Sequence, residues 1–312
     1  MRKVLLYVVT GLCAMLSLQG CFTGVESTKA ITQKDVERAY AGDEYNNHGQ
    51  SIEIPLDTFP KWDMGKRFYV TDNNIKYIFS PSQQFAIDSL NLQDKIITYD
   101  GYTKSLSIDG RQVVNLYFKA GDINLQYNTN RTMDDITGTT DGRFEVPFLV
   151  DLDEVEQLRK VMTGMSLYIK TPIWYDVTGE MIGGRKYVNI SITDVLPGDK
   201  VFPFKVQFND SGRTAYVFMS YRDNYLHRSF DDLFSTTDIR ERYPMISDEN
   251  WQRIINSQVA TYMTKEECRL SIGPPNTLER VPTYNGVREY WYYTNGTYLI
   301  FDEEGLLTSF RR

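Results

Sequence analysis

Between Phe59 and Asn130 the chain keeps switching between short runs of β-branched and aromatic residues and Gly-containing breaks. That pattern leaves little room for anything but antiparallel β-structure. The runs are Arg67-Phe68-Tyr69-Val70-Thr71, Lys95 to Tyr99, Gln112 to Phe118 and Ile123 to Tyr127. Asp100-Gly101, Asp109-Gly110 and Ala120-Gly121-Asp122 fall between them, and Asp-Gly pairs are strong hairpin signals. Each run predicts a strand, and each Gly-containing break predicts a turn. An aromatic content of 13%, much of it Tyr, suits sheets that pack on one another.

Asp151 to Met162 interrupts this rhythm. Leu152, Val155, Leu158 and Val161 recur at three-residue steps among charged residues, which predicts an amphipathic helix ended by Thr163-Gly164. β-Patterning then returns in a form that echoes the first block. Gly164 to Thr171 repeats the pattern of Gly65 to Thr71. Val206-Gln207-Phe208, Gly212 and Tyr216-Val217-Phe218 repeat Leu116-Tyr117-Phe118, Gly121 and Leu125-Gln126-Tyr127. Two blocks of this size suit two small, strongly bent, five-stranded SH3-like barrels or sheets in tandem, and with the helical C-terminal part the fold class is mostly β plus α+β. From Asn224 to Val259 the pattern is helical, with Ser247 as a cap and Trp251, Ile254, Ile255 and Val259 as one stripe.

The last fifty residues carry a more specific order. Thr264 and Glu267 make a capping box, and Gly273-Pro274-Pro275 stops the helix. Arg288 to Tyr293, Thr297 to Phe301 and Leu306 to Phe310 follow as three strands, separated by Asn295-Gly296 and Glu304-Gly305. This order resembles the SmpA/OmlA (BamE-like) lipoprotein family, which shares its layout with the β-lactamase-inhibitor-protein domains. The resemblance implies two helices on a three-stranded sheet, and a binding role in the cell envelope. It covers about residues 247–312 and extends to nothing before them.

The N-terminus predicts where the chain works. Met1-Arg2-Lys3 precedes an apolar stretch from Val4 to Leu18, too short for a membrane span of ~20 residues and suited to a secretory signal. Leu18-Gln19-Gly20-Cys21 resembles the lipobox of bacterial lipoproteins of the Bacteroidetes type, which implies that Cys21 is acylated and becomes the first residue. Only one acid, Glu26, follows closely, so an anchor facing the periplasm is expected. The resulting layout is a signal at 1–20, a lipidated tether at 21–58, a β lobe at 59–150, a linker helix with a second β lobe at 151–222, and a helical and BamE-like part at 223–312.

A net charge of −7, with acids dispersed rather than clustered, disfavours nucleic acid and leaves attachment to the acyl chains. With Cys13 in the signal and Cys21 lipidated, Cys268 has no intrachain partner. His48 and His227 stand far apart without metal-ligand spacing, and no nucleophile elbow, phosphate-binding Gly loop or zinc-protease helix is present. No cofactor, metal or catalytic residue is therefore assigned. The expected partners are the membrane, through the lipid, and an envelope protein. Tyr290, Tyr292 and Tyr298 on the C-terminal strands form the candidate partner face, because alternation turns half of those side chains away from the core. Trp174 and Tyr175, beside Pro172, are the candidate stacking platform if the chain instead binds a glycan or polymer. An envelope enzyme with an unrecognised site is the remaining alternative.

Overall fold

The computed structural model describes Ile52 and residues 58–80, 86, 89–138, 143–220 and 228–312. Cys21, His48, His227, the signal and nearly all of the tether lie outside them. The chain divides into two compact units, the first running through the lobes to Gly273 and the second from Pro274 to Arg312.

Three antiparallel sheets carry the fold. The first contains β1 (Arg67–Val70), β2 (Ile96–Leu106), β3 (Gln112–Ala120), β4 (Ile123–Asn128) and β5 (Leu149–Asp151), in the order β4-β3-β2-β1-β5. A short helix α1 (Met133–Thr137) lies between β4 and β5, and α2 (Leu152–Met162) follows β5 directly. The second sheet contains β6 (Ser166–Ile169), β7 (Ile173–Tyr175), β8 (Met181–Gly183), β9 (Val188–Pro197), β10 (Phe204–Asp210), β11 (Arg213–Met219) and, after α3 (Phe230–Leu233), β12 (Phe234–Ser235). Its order is β12-β6-β9-β10-β11-β7-β8.

The two sheets repeat one plan. Strands β1, β2, β3, β4 and β5 match β6, β9, β10, β11 and β12 in order and direction. Gly65, at φ 89°, donates to the Tyr99 carbonyl while Tyr99 donates to Lys66. Gly164, at φ 87°, donates to Ile192 while Ile192 donates to Met165. Thr132 and Asp135 form a reciprocal capping box on α1, and Ser229 and Asp232 form the same box on α3. On the outer side, Thr71 donates its amide to the carbonyl of Phe148, and Lys170 does the same to Leu233.

Neither sheet closes into the expected barrel. The last strands β5 and β12 do return to the first strand of each sheet, but closure also needs the two outer edges to pair, and neither β4 with β5 nor β8 with β12 does so. Asp100-Gly101 likewise makes no turn. It is a bulge inside β2, where the register shifts between Tyr99 and Gly101 and Gly101 takes φ 108°. In α2 the core side is Val155, Leu158 and Met162, while Val161 is half exposed. Each three-residue step falls about 60° short of a full turn, so a stripe at constant threes drifts off the core and 155, 158, 162 replaces it.

Helices α4 (Asp248–Ile255) and α5 (Lys265–Ile272) fold with the lobes rather than across a boundary at 222/223. Tyr187 stacks on Trp251, with ring centroids 5.8 Å apart, and Lys186 donates to the Ile255 carbonyl. The stripe Trp251, Ile254, Ile255, Val259 is buried throughout. The Thr264 hydroxyl accepts from the Glu267 amide, and the Glu267 carboxylate accepts from the Thr264 amide at 2.7 Å.

The second unit holds β13 (Thr277–Thr283), β14 (Gly286–Tyr292), β15 (Tyr298–Phe301) and β16 (Leu307–Arg311) in sequence order, four strands where three were expected. Strand β13 escapes a pattern search because only Leu278 in it is buried and Pro282 interrupts it, both typical of an edge strand. No helix among the described residues is long and apolar enough to cross a membrane.

Replacing Thr264 with Ala removes one half of the α5 capping box. Chemical unfolding of the variant is expected to show a loss of ~1 kcal/mol, and a loss near zero would mean the box does not hold that terminus.

Candidate functional site

A cavity of the larger unit lies where the two lobes meet. Strand β1 is paired on both sides, so its two faces serve different cores. Phe68 and Val70 belong to the first-lobe core, while Tyr69 and its cross-strand partner Val150 pack with the second. Beside this shared strand opens a cavity of about 380 Å³. Its apolar wall includes Trp62, Phe68, Phe144 and Phe148, and the β9–β10 turn of the second lobe contributes Asp199 to Val201. Trp62 lies 5.0 Å from Phe68 and 6.0 Å from Phe144 between ring centroids, so the aromatic wall is continuous.

Charge gathers at the same place. Asp151 ends β5, caps α2 by accepting from the Asp153 amide at 2.9 Å, and pairs with Lys66 at 2.9 Å. The Lys66 ammonium is almost fully enclosed and also meets Asp153 at 3.3 Å. Burial raises the Asp151 carboxyl above the ordinary carboxylate range, and this outweighs Lys66, which pulls it down. A carboxyl raised on folding favours the folded state while protonated, and loses that contribution as pH rises from the ordinary value through the raised one. Arg143 and Glu154 face each other across 3.7 Å, with side chains only 12% and 16% exposed. Phe148 holds φ 67°, a left-handed conformation that costs a bulky residue ~1–3 kcal/mol and is retained where surrounding structure enforces it. Thr71 enforces it here by donating both its amide and its hydroxyl to the Phe148 carbonyl.

The tyrosines of the C-terminal sheet share one face. Tyr292 lies opposite Tyr298, and Tyr290 opposite Ile300. Tyr292 is 39% exposed, and Tyr290 and Tyr298 are half-buried. Partial burial and then Glu279, whose carboxylate lies 3.5 Å away, push the Tyr292 hydroxyl up. Trp291, Leu299 and Phe301 alternate onto the opposite face and are fully buried.

Trp174 lies in the second-lobe core with no exposed surface, which removes it as a stacking platform. Its indole N–H donates to the Thr171 carbonyl at 2.8 Å, and its ring packs edge-on against Phe208. Its face lies on Gly184, where a Cβ would come within 2.2 Å of the ring. Tyr175 points to the other face of the sheet and stacks on Tyr216, 5.5 Å between centroids. Lys205 sits 3.7 Å above the Tyr216 ring. Cys268 is buried and free, and burial pushes its thiol to about 12. Among the described residues no cluster of His, Cys, Asp or Glu has the makings of a metal site.

Sequence reading missed the cavity. Its charged members come from a connection (Arg143, Glu145), a helix cap (Asp151), a helix face (Glu154) and the β9–β10 turn (Asp199, Lys200), and no spacing rule joins these. The signal that could have found it is the repeated capping box, because aligning Thr132-Asp135 with Ser229-Asp232 exposes the extra segment before β5. No family model, no curated protein and no solved structure matches the chain.

The residue matching Lys66 in the second lobe is Met165, so the fold itself needs no charge there. Lys66→Met should cost ~3 kcal/mol in urea unfolding by leaving Asp151 buried without its cation. Adding Asp151→Asn, which keeps a helix cap, should recover most of that loss. A single variant as stable as the parent would mean the pair carries no such role.

Proposed function

We propose that this chain is a lipid-anchored protein of the bacterial cell envelope, held at the outer membrane and facing the periplasm. It works by binding, as an accessory or scaffold subunit of an envelope complex. The observation that carries the reading is Leu18-Gln19-Gly20-Cys21 behind a short apolar segment with two leading cations. The C-terminal part adds support. A capped helix stopped at Gly273, followed by an antiparallel meander, is the order that the resemblance to SmpA/OmlA lipoproteins implies. The face bearing Tyr290, Tyr292 and Tyr298 is the surface assigned to an envelope partner, since large aromatic side chains that stay partly exposed favour protein interfaces. Binding of a glycan or polymer ranks below this reading, because the buried Trp174 takes away its chief support.

Two experiments test the reading separately. In cells fed a labelled fatty acid, the parent should carry label and sediment with membranes, while Cys21→Ala should carry none and appear in the soluble fraction. A Cys21→Ala chain that still sediments would overturn the anchor. For the partner face, replacing Tyr290 and Tyr292 together with Ser should reduce recovery of envelope partners at least tenfold. Surface changes of this kind alter stability by only ~0.5 kcal/mol each, so the melting temperature should stay close to that of the parent. Unaltered recovery would place the partner elsewhere.

A further inference from the structure

The outward face of the second sheet departs from the plan that the two lobes share. The β3–β4 and β10–β11 hairpins each turn through two residues, with Ala120 opposite Ile123 and Asp210 opposite Arg213, so they match residue for residue. On the first lobe the matched outward positions are Asn115, Gln126 and Asn128, and the Gln126 amide donates to Asn128 at 2.8 Å. The second lobe has Lys205, Tyr216 and Phe218 in their places. The β7–β8 hairpin, which the first lobe lacks, extends the same face, because Tyr175 lies opposite both Tyr216 and Met181. Alternation puts Ile173 there as well. Ile173 is 40% exposed and Met181 68%. A sheet face that meets only water stays polar, as the first lobe's does, and a contiguous apolar patch in its place marks a surface built to be covered.

Charge narrows what covers it. The Lys205 ammonium lies 3.7 Å from the centre of the Tyr216 ring, burial lowers it below the ordinary lysine value, and no carboxylate among the described residues pairs with it. Covering Lys205 further is costly unless the cover brings an anion. An exposed acid of that kind, Glu180, stands at the other side of the same patch, directly before β8. The strand order β10-β11-β7-β8 sets Tyr216 and Tyr175 on the two strands between them. A two-fold axis running along the strands between β11 and β7 therefore lays β10 of each copy over β8 of the other. It sets apolar patch on apolar patch and brings Lys205 to Glu180 twice. Other covers fit less well. Tyr175 and Tyr216 stack on each other, and Phe218 stands at 70° and 88° to them, so the rings offer a sugar no common plane. Burial, then Tyr175, Asp176 and Asp199 push the Tyr216 hydroxyl up. Acids thus flank the rings, and an anionic lipid surface would be repelled.

We infer that the outward face of β10, β11, β7 and β8 pairs with the same face of a second copy of this chain, in a two-fold dimer where Lys205 of each copy meets Glu180 of the other. Four strands ~4.8 Å apart offer roughly 400 Å² per copy, at the small end of specific contacts, so the dimer is weak and reversible. This goes beyond the scaffold reading and holds whether or not Cys21 carries a lipid.

Sedimentation equilibrium of the full chain in density-matched detergent micelles tests it. A monomer–dimer equilibrium with a Kd of about 10–100 µM is expected for so small a contact. Met181→Lys, at an exposed site, should weaken it at least tenfold. Lys205→Glu and Glu180→Lys should each do the same, because each sets like charges against one another in both contacts. An equimolar mixture of these two variants should associate as the parent does, since every contact in the mixed dimer then joins a Glu to a Lys. Melting curves confirm that each variant folds, and should Lys205→Glu not fold, the parent and Met181→Lys still decide the matter. A parent that stays monomeric at ten times the expected Kd would overturn the inference. So would a parent dimer that Met181→Lys leaves intact, or a mixture of folded charge variants that associates no better than either alone.

Discussion

Each lobe is organised by a first strand of only four residues that is hydrogen-bonded along both edges. A strand that short cannot hold a sheet through its own length. It holds because a long strand lies on one side, a short return strand on the other, and a positive-φ glycine at its start sets the register. Gly65 and Gly164 make this possible, since an L side chain at φ near 90° would be strained. Once the register is set, alternation fixes which side chains enter which core, and a slip by one residue would exchange them. For β1 the consequence is double, because Phe68 and Val70 enter the first-lobe core while the half-buried Tyr69 packs against the second.

The repeat separates what the fold needs from what it tolerates. Gly-led first strand, long second strand, two-residue turn, capped short helix and return strand occur in both copies. The β7–β8 hairpin and the segment between α1 and β5 each occur in one. Both additions reach into a core as well as a surface, the hairpin through Trp174 and the inserted segment through Phe144 and Val146. The hairpin widens the second sheet and places Tyr175 against Tyr216 on its outer face, and the inserted segment walls the interlobe cavity. In a chain without a recognisable catalytic pattern, such departures from an internal template are the most direct guide to where binding was added.

What the sequence revealed followed the physics of each signal. Local signals read well. The caps at Ser247 and Thr264 and the stop at Gly273 stand where expected, because capping depends on a few adjacent residues. The face of Tyr290, Tyr292 and Tyr298 stays partly exposed, with Trp291 buried on the opposite side, for the same reason, period-two alternation being local. Signals that depend on what pairs with what read poorly. Asp100-Gly101 has the composition of a hairpin turn, yet becomes a bulge because β2 continues past it to pair with β3. Trp174 and Tyr175 are neighbours of similar chemistry, and only the position of β7 on the sheet decides that one is core and the other not. Barrel closure was the furthest from sequence, since it turns on whether the two outermost strands, β4 and β5 in the first sheet, come close enough to pair.

Asp151 shows how one side chain ties these levels together. It is the last residue of the return strand, the cap of the helix that leads into the second lobe, the partner of a buried lysine and part of the cavity wall. The second lobe manages the same junction with Met165 and no ion pair, so the charges are not a requirement of the fold. A buried pair of this kind seldom adds net stability over apolar side chains of similar size. Its retention beside the cavity is better explained by what it does to that space. It puts a largely buried ion pair behind the stretch of wall that Asp151 lines, one turn before Glu154 of the helix that Asp151 caps. The part of the junction that departs from the apolar solution thus reaches the cavity through Asp151, which lines it together with Arg143, Glu145, Glu154, Asp199 and Lys200.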